Sequence, residues 1–244
     1  MELKYALDED ALERVRRFVA PFVVEDPAVA SAGGQRVTSL YLDTPRGDFC
    51  ARHLAREADR FKLRVRRYGD DEPLLVYFEV KRKIGRVTDK RRACVWAAHA
   101  PLLLAAGPAA ALEAATRDAG NLRLFLWLMM LHRAAPRLLV TCRREAYVGP
   151  EPACEARVTF DHDVSFQPAR TATLRGDPAR WLRTPLAQGS VLLELKYSGA
   201  SPWWMAELAR RLGRRRTAYS KYVAGAAVAG ATRLAPYAGL EVRA

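Results

Sequence analysis

Three times in this chain a glutamate stands two residues before a lysine: Glu2-Leu-Lys4, Glu79-Val-Lys81 and Glu194-Leu-Lys196. Residues two apart on a β-strand point to the same side, so each pair sets a carboxylate beside an ammonium on one face. Cations recur at the same spacing. Lys62, Arg64 and Arg66 alternate with Phe61, Leu63 and Val65, and Lys90 and Arg92 follow the turn marked by Gly85. Lys83 falls into the same alternation. Arginine presents a planar fork that suits phosphate oxygens, and lysine a compact, movable charge. A hard divalent cation takes carboxylate and phosphate oxygens together. Many cations with a few carboxylates on one strand face are therefore a donor set for a phosphate-rich anion and a metal ion.

The ordinary reading of such a face is a solvated one. Two features weigh against it. The charges are mostly of one sign on neighbouring strands, where like charges directly opposite each other destabilise pairing, and carboxylates appear singly among them. Closing about eight such strands makes a barrel whose interior can hold a ligand. With the charges inside, the apolar faces point outward and need helices to cover them. The expected fold is α+β: an antiparallel eight-stranded β-barrel tunnel with a charged interior, flanked by helices, as a single domain over residues 1–244.

The elements that must position these side chains follow from periodicity. Period-two runs predict strands at residues 2–7, 36–43, 61–66, 78–81, 90–92, 138–147, 155–163 and 191–197. Ala11, Leu12, Val15 and Phe18 share one face of a helix over residues 8–20, with Asp8 or Asp10 as its cap. Residues 110–132 read as helical with a division at Gly120. Ser201-Pro202 opens a helix through Leu212, and a last helix begins at Tyr219 or Ser220. Gly107-Pro108 and Gly149-Pro150 punctuate loops.

Composition narrows the classes. Lys and Arg total 40 against 27 Asp and Glu in 244 residues, a formal net charge of +13, with half the residues hydrophobic. A packed core with an anionic partner is implied, and a disordered basic tail is excluded. Cys50, Cys94, Cys142 and Cys154 form no C-x-x-C pair and have no histidine at ligand spacing. That argues for reduced thiols in a cytoplasmic protein and against structural zinc. His53, His99, His132 and His162 make no triad and read as surface or loop residues. Residues 122–131 are apolar but too short to cross a bilayer and are interrupted by Arg123, so no membrane span is expected. No RNP-type aromatic pair, helix-turn-helix or zinc knuckle points to nucleic acid. The Arg214-Arg215-Arg216 run reads as a solvated face or a rim.

In order along the chain stand Glu2-Leu-Lys4-Tyr5, Ser39-Leu-Tyr41-Leu-Asp43-Thr44, Arg60-Phe-Lys62-Leu-Arg64-Val-Arg66 and Phe78-Glu79-Val-Lys81. They are followed by Lys90-Arg91-Arg92, Arg144-Glu-Ala-Tyr147, Arg157-Val-Thr-Phe-Asp161, Leu193-Glu194-Leu-Lys196-Tyr197 and Ser220-Lys221-Tyr222. This ordered set, spread over nearly the whole chain, resembles the catalytic domain of the vacuolar transporter chaperone (VTC) family, within the triphosphate tunnel metalloenzyme (CYTH-like) superfamily. Cys142 and Ala218 stand where eukaryotic members carry a tyrosine and a lysine. The Glu-x-Glu-x-Lys signature of the wider superfamily is represented by Glu2-x-Lys4.

The resemblance implies a polyphosphate polymerase that transfers the γ-phosphoryl group of ATP to a growing inorganic polyphosphate chain. It also implies a divalent cofactor, Mn²⁺ or Mg²⁺. Carried over onto this chain, Lys4, Arg64, Arg66, Lys81, Lys90 and Lys221 would take the catalytic part. Arg144, Arg157 and Ser220 would bind substrate, joined on the strand pattern by Lys62 and Lys196. Glu194 would be the principal metal ligand, with Glu2 and Glu79 as further carboxylates. ATP or another triphosphate and polyphosphate are the expected partners, and a membrane-protein partner stays open. A polyphosphate end is already ionised and needs no general base, whereas water would benefit from one. The sequence offers no strong base, which favours polymerase over triphosphatase. A triphosphatase on the same fold and a non-catalytic binder of polyphosphate or nucleic acid are the alternatives.

Overall fold

The structure is a computed structural model that describes residues 1–29, 34–85, 87–106, 118–150, 155–184 and 189–230. In chain order its elements are β1 (Glu2–Leu7), α1 (Glu9–Val19), β2 (Val24–Glu25), β3 (Gln35–Asp43), α2 (Asp48–Leu54), β4 (Asp59–Tyr68), β5 (Leu75–Ile84) and β6 (Val87–Trp96). Then come α3 (Ala100–Ala106), α4 (Ala119–Leu131), β7 (Ala135–Val148), β8 (Arg157–Pro168), β9 (Val191–Lys196), α5 (Trp203–Leu212) and α6 (Lys221–Val228). The nine strands form one antiparallel sheet in the order β1-β9-β8-β7-β3-β4-β5-β6, with the two-residue β2 paired to β7.

The alternation in sequence becomes two chemically different faces. On one, Leu40, Leu63, Val65, Phe78, Val80 and Val95 pack under α3 and α4 through Leu103, Leu122, Phe125, Leu126 and Met129. Phe78 and Phe125 meet edge to face at 5.0 Å. Further round the same face, Tyr5, Leu7, Val158, Phe160, Leu193 and Leu195 pack under α1 and α5. Each such buried aliphatic or aromatic side chain contributes roughly 1.5–3 kcal/mol, so the helices are held by the face that points away from the charges. Asp8 caps α1 by accepting from the Ala11 amide at 2.8 Å. The expected helices at the N-terminus, before Leu212 and after Ser220 are present; α2 and α3 carried no periodic signal in a seven-residue span. The helical reading of residues 110–117 and the thiol of Cys154 lie outside the described residues.

The expected closed eight-stranded barrel is corrected. Eight strands run in one path with the short β2 beside it, and β1 and β6 are edges with no ladder between them among the described residues. The free side of β1 is occupied instead by the segment before α6. Tyr5 bridges Arg216, and the Thr217 amide donates to the Lys4 carbonyl at 2.9 Å. On β6, the Asn121 side chain of α4 donates to the Arg92 carbonyl at 2.8 Å. The sheet is nevertheless curled enough for side chains to cross the opening, since Lys81 on β5 meets Glu2 on β1 at 3.2 Å.

The last helix lies on the charged side, packed beside α2. α6 packs Tyr222 and Ala226 against Leu138, Val140, Phe166 and Leu192. Tyr222 stacks on Tyr41 at 4.7 Å and donates its hydroxyl to buried Asp43. Gly225 makes this approach feasible, because a Cβ there would stand 2.1 Å from a Phe166 ring carbon and 2.9 Å from Leu138. Gly225→Ala should therefore destabilise the fold. The helix-propensity gain of about 1 kcal/mol is smaller than an overpacking cost of about 1–3 kcal/mol. A denaturation midpoint at or above wild type would show that α6 does not dock this closely.

Candidate functional site

The charged face encloses a cavity of about 580 Å³ lined from β1, β3, β4, β5, β6, β7 and β9, from α2, and from the segment leading into α6. Strand register explains who meets whom. Lys4 pairs across from Glu194 and Glu2 from Lys196; Arg64 faces Glu79 and Lys62 faces Lys81. Of the residues expected at a site, Glu2, Lys4, Lys62, Arg64, Arg66, Lys81, Arg144, Glu194, Lys196, Ser220 and Lys221 line this one cavity. Glu79 and Lys90 stand behind Arg64, outside the lining. Arg157 turns to Asp26 at 2.8 Å and also lies outside it.

Three carboxylates organise most of the cations. Glu79, 1% exposed, receives Arg64 on one oxygen at 2.6 Å, and Lys90 at 2.9 Å and Arg92 at 2.7 Å on the other. Burial pushes its carboxyl up, but Arg64, Arg66, Lys90 and Arg92 outweigh that and hold it well below the usual range. Asp161 on β8 takes Arg144 through two hydrogen bonds of 2.6 and 2.8 Å, and also Lys221. Glu194 accepts Lys196 at 2.7 Å, Lys221 at 3.2 Å and Lys4 at 3.4 Å. Against the upward push of burial, Lys221, Lys4 and Lys196 keep it ionised. Glu2 sits with Lys4 and Lys81, both at 3.2 Å, and despite burial is lowered to about 2.

Lys62 is arranged differently. Its ammonium donates to Ser220 Oγ at 2.9 Å and lies 5.7 Å over the Tyr222 ring. Burial, then the charges of Lys4, Lys81 and Arg64, push its pKa well down. Its charged form is short of counter-charge, which an arriving phosphate would supply.

Among the described residues no three His, Cys, Asp or Glu side chains converge as a ready-made metal cage. Glu194 and Glu2, bridged by Lys4 and each held by lysines on both oxygens, are the carboxylates that face the cavity, while Glu79 lies outside its lining. This donor set fits a hard cation that completes its shell with substrate oxygens and water, as Mg²⁺-type sites do. Asp161 closes the Arg157-Val-Thr-Phe-Asp161 motif, and the signal that marks it is an acidic residue inside a strand, where aspartate is disfavoured. The expectation that the histidines are surface or loop residues is corrected at two of them: His162 is buried within β8, and α2 places His53 in the cavity wall. Burial, followed by Lys62 and Arg60, lowers its pKa to about 3.

The depressed carboxylates tie stability to pH with a definite sign. Their folded pKa values lie below the ordinary ones, so their contribution is complete above about pH 4.5 and is lost as pH falls through the folded values, near 2 for Glu2. Glu79→Gln leaves Arg64, Lys90 and Arg92 without their shared anion. It should cost about 3–5 kcal/mol at neutral pH in urea denaturation, and less in acid. A loss independent of pH would rule out the ion-pair account.

No curated protein sequence matches the chain. Among solved structures, the PH1819 protein from Pyrococcus horikoshii OT3 is similar at a TM-score of 0.43 and 13% identity, over 91% of this chain and 95% of that one. A sequence model of the VTC domain matches residues 1–229. The match runs from the strand that carries Glu2 and Lys4 through the helix that brings Lys221 to Glu194, and the chain belongs to the VTC domain family.

Proposed function

We propose that this chain is a polyphosphate polymerase, an ATP–polyphosphate phosphotransferase that moves the γ-phosphoryl group of ATP onto the end of an inorganic polyphosphate chain. The observation that supports this most is the cavity itself, where guanidinium and ammonium groups from several strands converge around few carboxylates. Family membership points the same way, toward polyphosphate chemistry.

The transfer breaks the bond from the γ-phosphorus to the bridging oxygen and forms one to a terminal oxygen of the chain, releasing ADP. Protein contributes chiefly positioning and charge neutralisation to such a step. Arg64 and Arg66 present forks to phosphate oxygens, aimed by Glu79 and by Ser39, which accepts from Arg66 at 3.0 Å. Arg144 is fixed by two bonds to Asp161, so little freedom remains to be lost on binding. Lys4, Lys81, Lys196 and Lys221 are shared with carboxylates and can turn toward phosphate, and Ser220 at the cap of α6 offers a hydroxyl beside Lys62. Lys90 supports Arg64 from behind through Glu79. A divalent cation, Mn²⁺ or Mg²⁺, held by Glu194 with Glu2, would supply charge neutralisation on the phosphate oxygens. The attacking oxygen is already ionised, so no residue need remove a proton.

Among the described residues no helix is long and apolar enough to cross a membrane. Cys94 and Cys142 are free thiols, which supports a cytoplasmic setting as part of this proposal.

Purified protein incubated with ATP and Mn²⁺ or Mg²⁺ should yield ADP and a polymer that separates from orthophosphate on a gel. Orthophosphate without polymer would assign a triphosphatase instead, and binding without turnover a non-catalytic module. Arg64→Ala should lower the rate by roughly 100-fold or more, the scale of losing one charge-stabilising donor. Unchanged turnover would remove this cavity from the reaction.

A further inference from the structure

The cavity wall is not electrostatically uniform. Around Glu79, Asp161 and Glu194 each cation has a carboxylate. Along β4 and β5 away from Glu79, the next two same-face rungs set Lys62 opposite Lys81 and Arg60 opposite Lys83. Arg56, which follows α2 with a φ of 54°, lines the same end. Among the described residues Glu2, through Lys81, is the carboxylate that reaches this strip. Arg56, Arg60, Lys62 and Lys83 have no carboxylate partner among the described residues. Arg60 donates to the Glu57 carbonyl, and Lys62 to Ser220.

Like charges directly opposite in a ladder destabilise it, so consecutive rungs of this kind need a reason. The same hairpin shows that compensation is available to it. On the opposite face Arg82 is held by Asp59 at 2.6 Å, and near the turn Arg91 by Asp89 at 2.9 Å. At these two rungs the deficit of negative charge lies on the cavity side. His53 stands in the same wall: its Nδ1 is tied to the Phe49 carbonyl at 2.9 Å, and burial, followed by Lys62, Arg60 and Lys81, keeps the imidazole neutral.

We infer that Arg56, Arg60, Lys62 and Lys83 form an arm of the cavity that binds the phosphates of the acceptor chain lying beyond the reach of a triphosphate, so that the protein discriminates by chain length. From Arg64 to Arg60 the strand advances roughly 13 Å, longer than the triphosphate tail of one nucleotide. A linear polyanion with a charge on every unit supplies counter-charge at each rung, which a triphosphate seated at Arg64 and Arg66 does not. This inference rests on the proposed polyphosphate reading and adds where the acceptor lies.

The test compares inorganic triphosphate with long-chain polyphosphate by calorimetric titration of wild type and of Arg60→Gln/Lys83→Gln. Wild type should prefer the long chain. The double variant should lose roughly tenfold or more in long-chain affinity, the scale of one or two charge-assisted hydrogen bonds, and keep its triphosphate affinity. Equal loss on both ligands, or loss on neither, overturns the arm. Wild type binding triphosphate without preferring the longer chain sinks the arm alone. Binding of neither ligand sinks the polyphosphate reading and the arm with it. A melting curve controls for folding. If the double variant unfolds, Lys83→Gln alone must weaken long-chain binding and Lys83→Arg must restore it; otherwise the arm is rejected.

Discussion

The rest of this structure depends on the repulsion among like charges gathered on one face of a sheet. A surface of arginines and lysines at strand spacing would force neighbouring strands apart unless something between them is negative. Single carboxylates serve that purpose at three points, each inside a ring of cations: Glu79 between β4 and β6, Asp161 between β7 and α6, and Glu194 between β1, β9 and α6. Each is buried where an isolated carboxylate would be expensive, and each stays ionised because several cations surround it. The same pairings aim the guanidinium and ammonium groups into the cavity.

Lys221 shows how this electrostatic arrangement also shapes the fold. It joins Asp161 and Glu194 on two neighbouring strands and is the first residue of α6, a helix that lies on the charged side. Tyr222 next to it is tied to Asp43 and stacked on Tyr41, while Ser220 before it receives Lys62. One short segment thus meets β1, β3, β4, β8 and β9. Because it also occupies the free side of β1 through Arg216 and Thr217, the wall of the cavity is completed by a loop and helix rather than by a strand-to-strand ladder. Packing makes this workable, since the apolar sheet face is already turned outward under α1, α3, α4 and α5.

Much of the strand pattern was legible because a sheet with an apolar face and a charged face writes its period directly into the sequence. The long strands observed coincide with the alternating runs; most extend beyond them at the ends, and β8 begins two residues later than its run and ends five residues further on. α2 and α3 were not legible: seven residues give too few turns for a helical repeat to stand out, and α2 is held by Asp43, whose carboxylate accepts from the amides of Phe49 and Cys50. Closure was misread for a related reason. Alternation says which way side chains point, and says nothing about whether the first and last strands of a path find each other.

The sequence by itself determined the chemistry of the two faces, the residue types available to a phosphate, and through its ordered motifs the VTC domain family. Spacing of two along a strand is a local property that survives any arrangement of the strands. Tertiary structure decided which charges neutralise one another and which are left over. Glu79 became an internal counter-ion, Asp161 a clamp on Arg144 and Lys221, and Arg157 a partner of Asp26 away from the cavity. His53 entered the wall, and among the described residues Lys62 was left without a carboxylate. These outcomes depend on strand order, register and curl, which bring residues from distant parts of the chain within a few ångströms, the range at which one charge decides the state of the next.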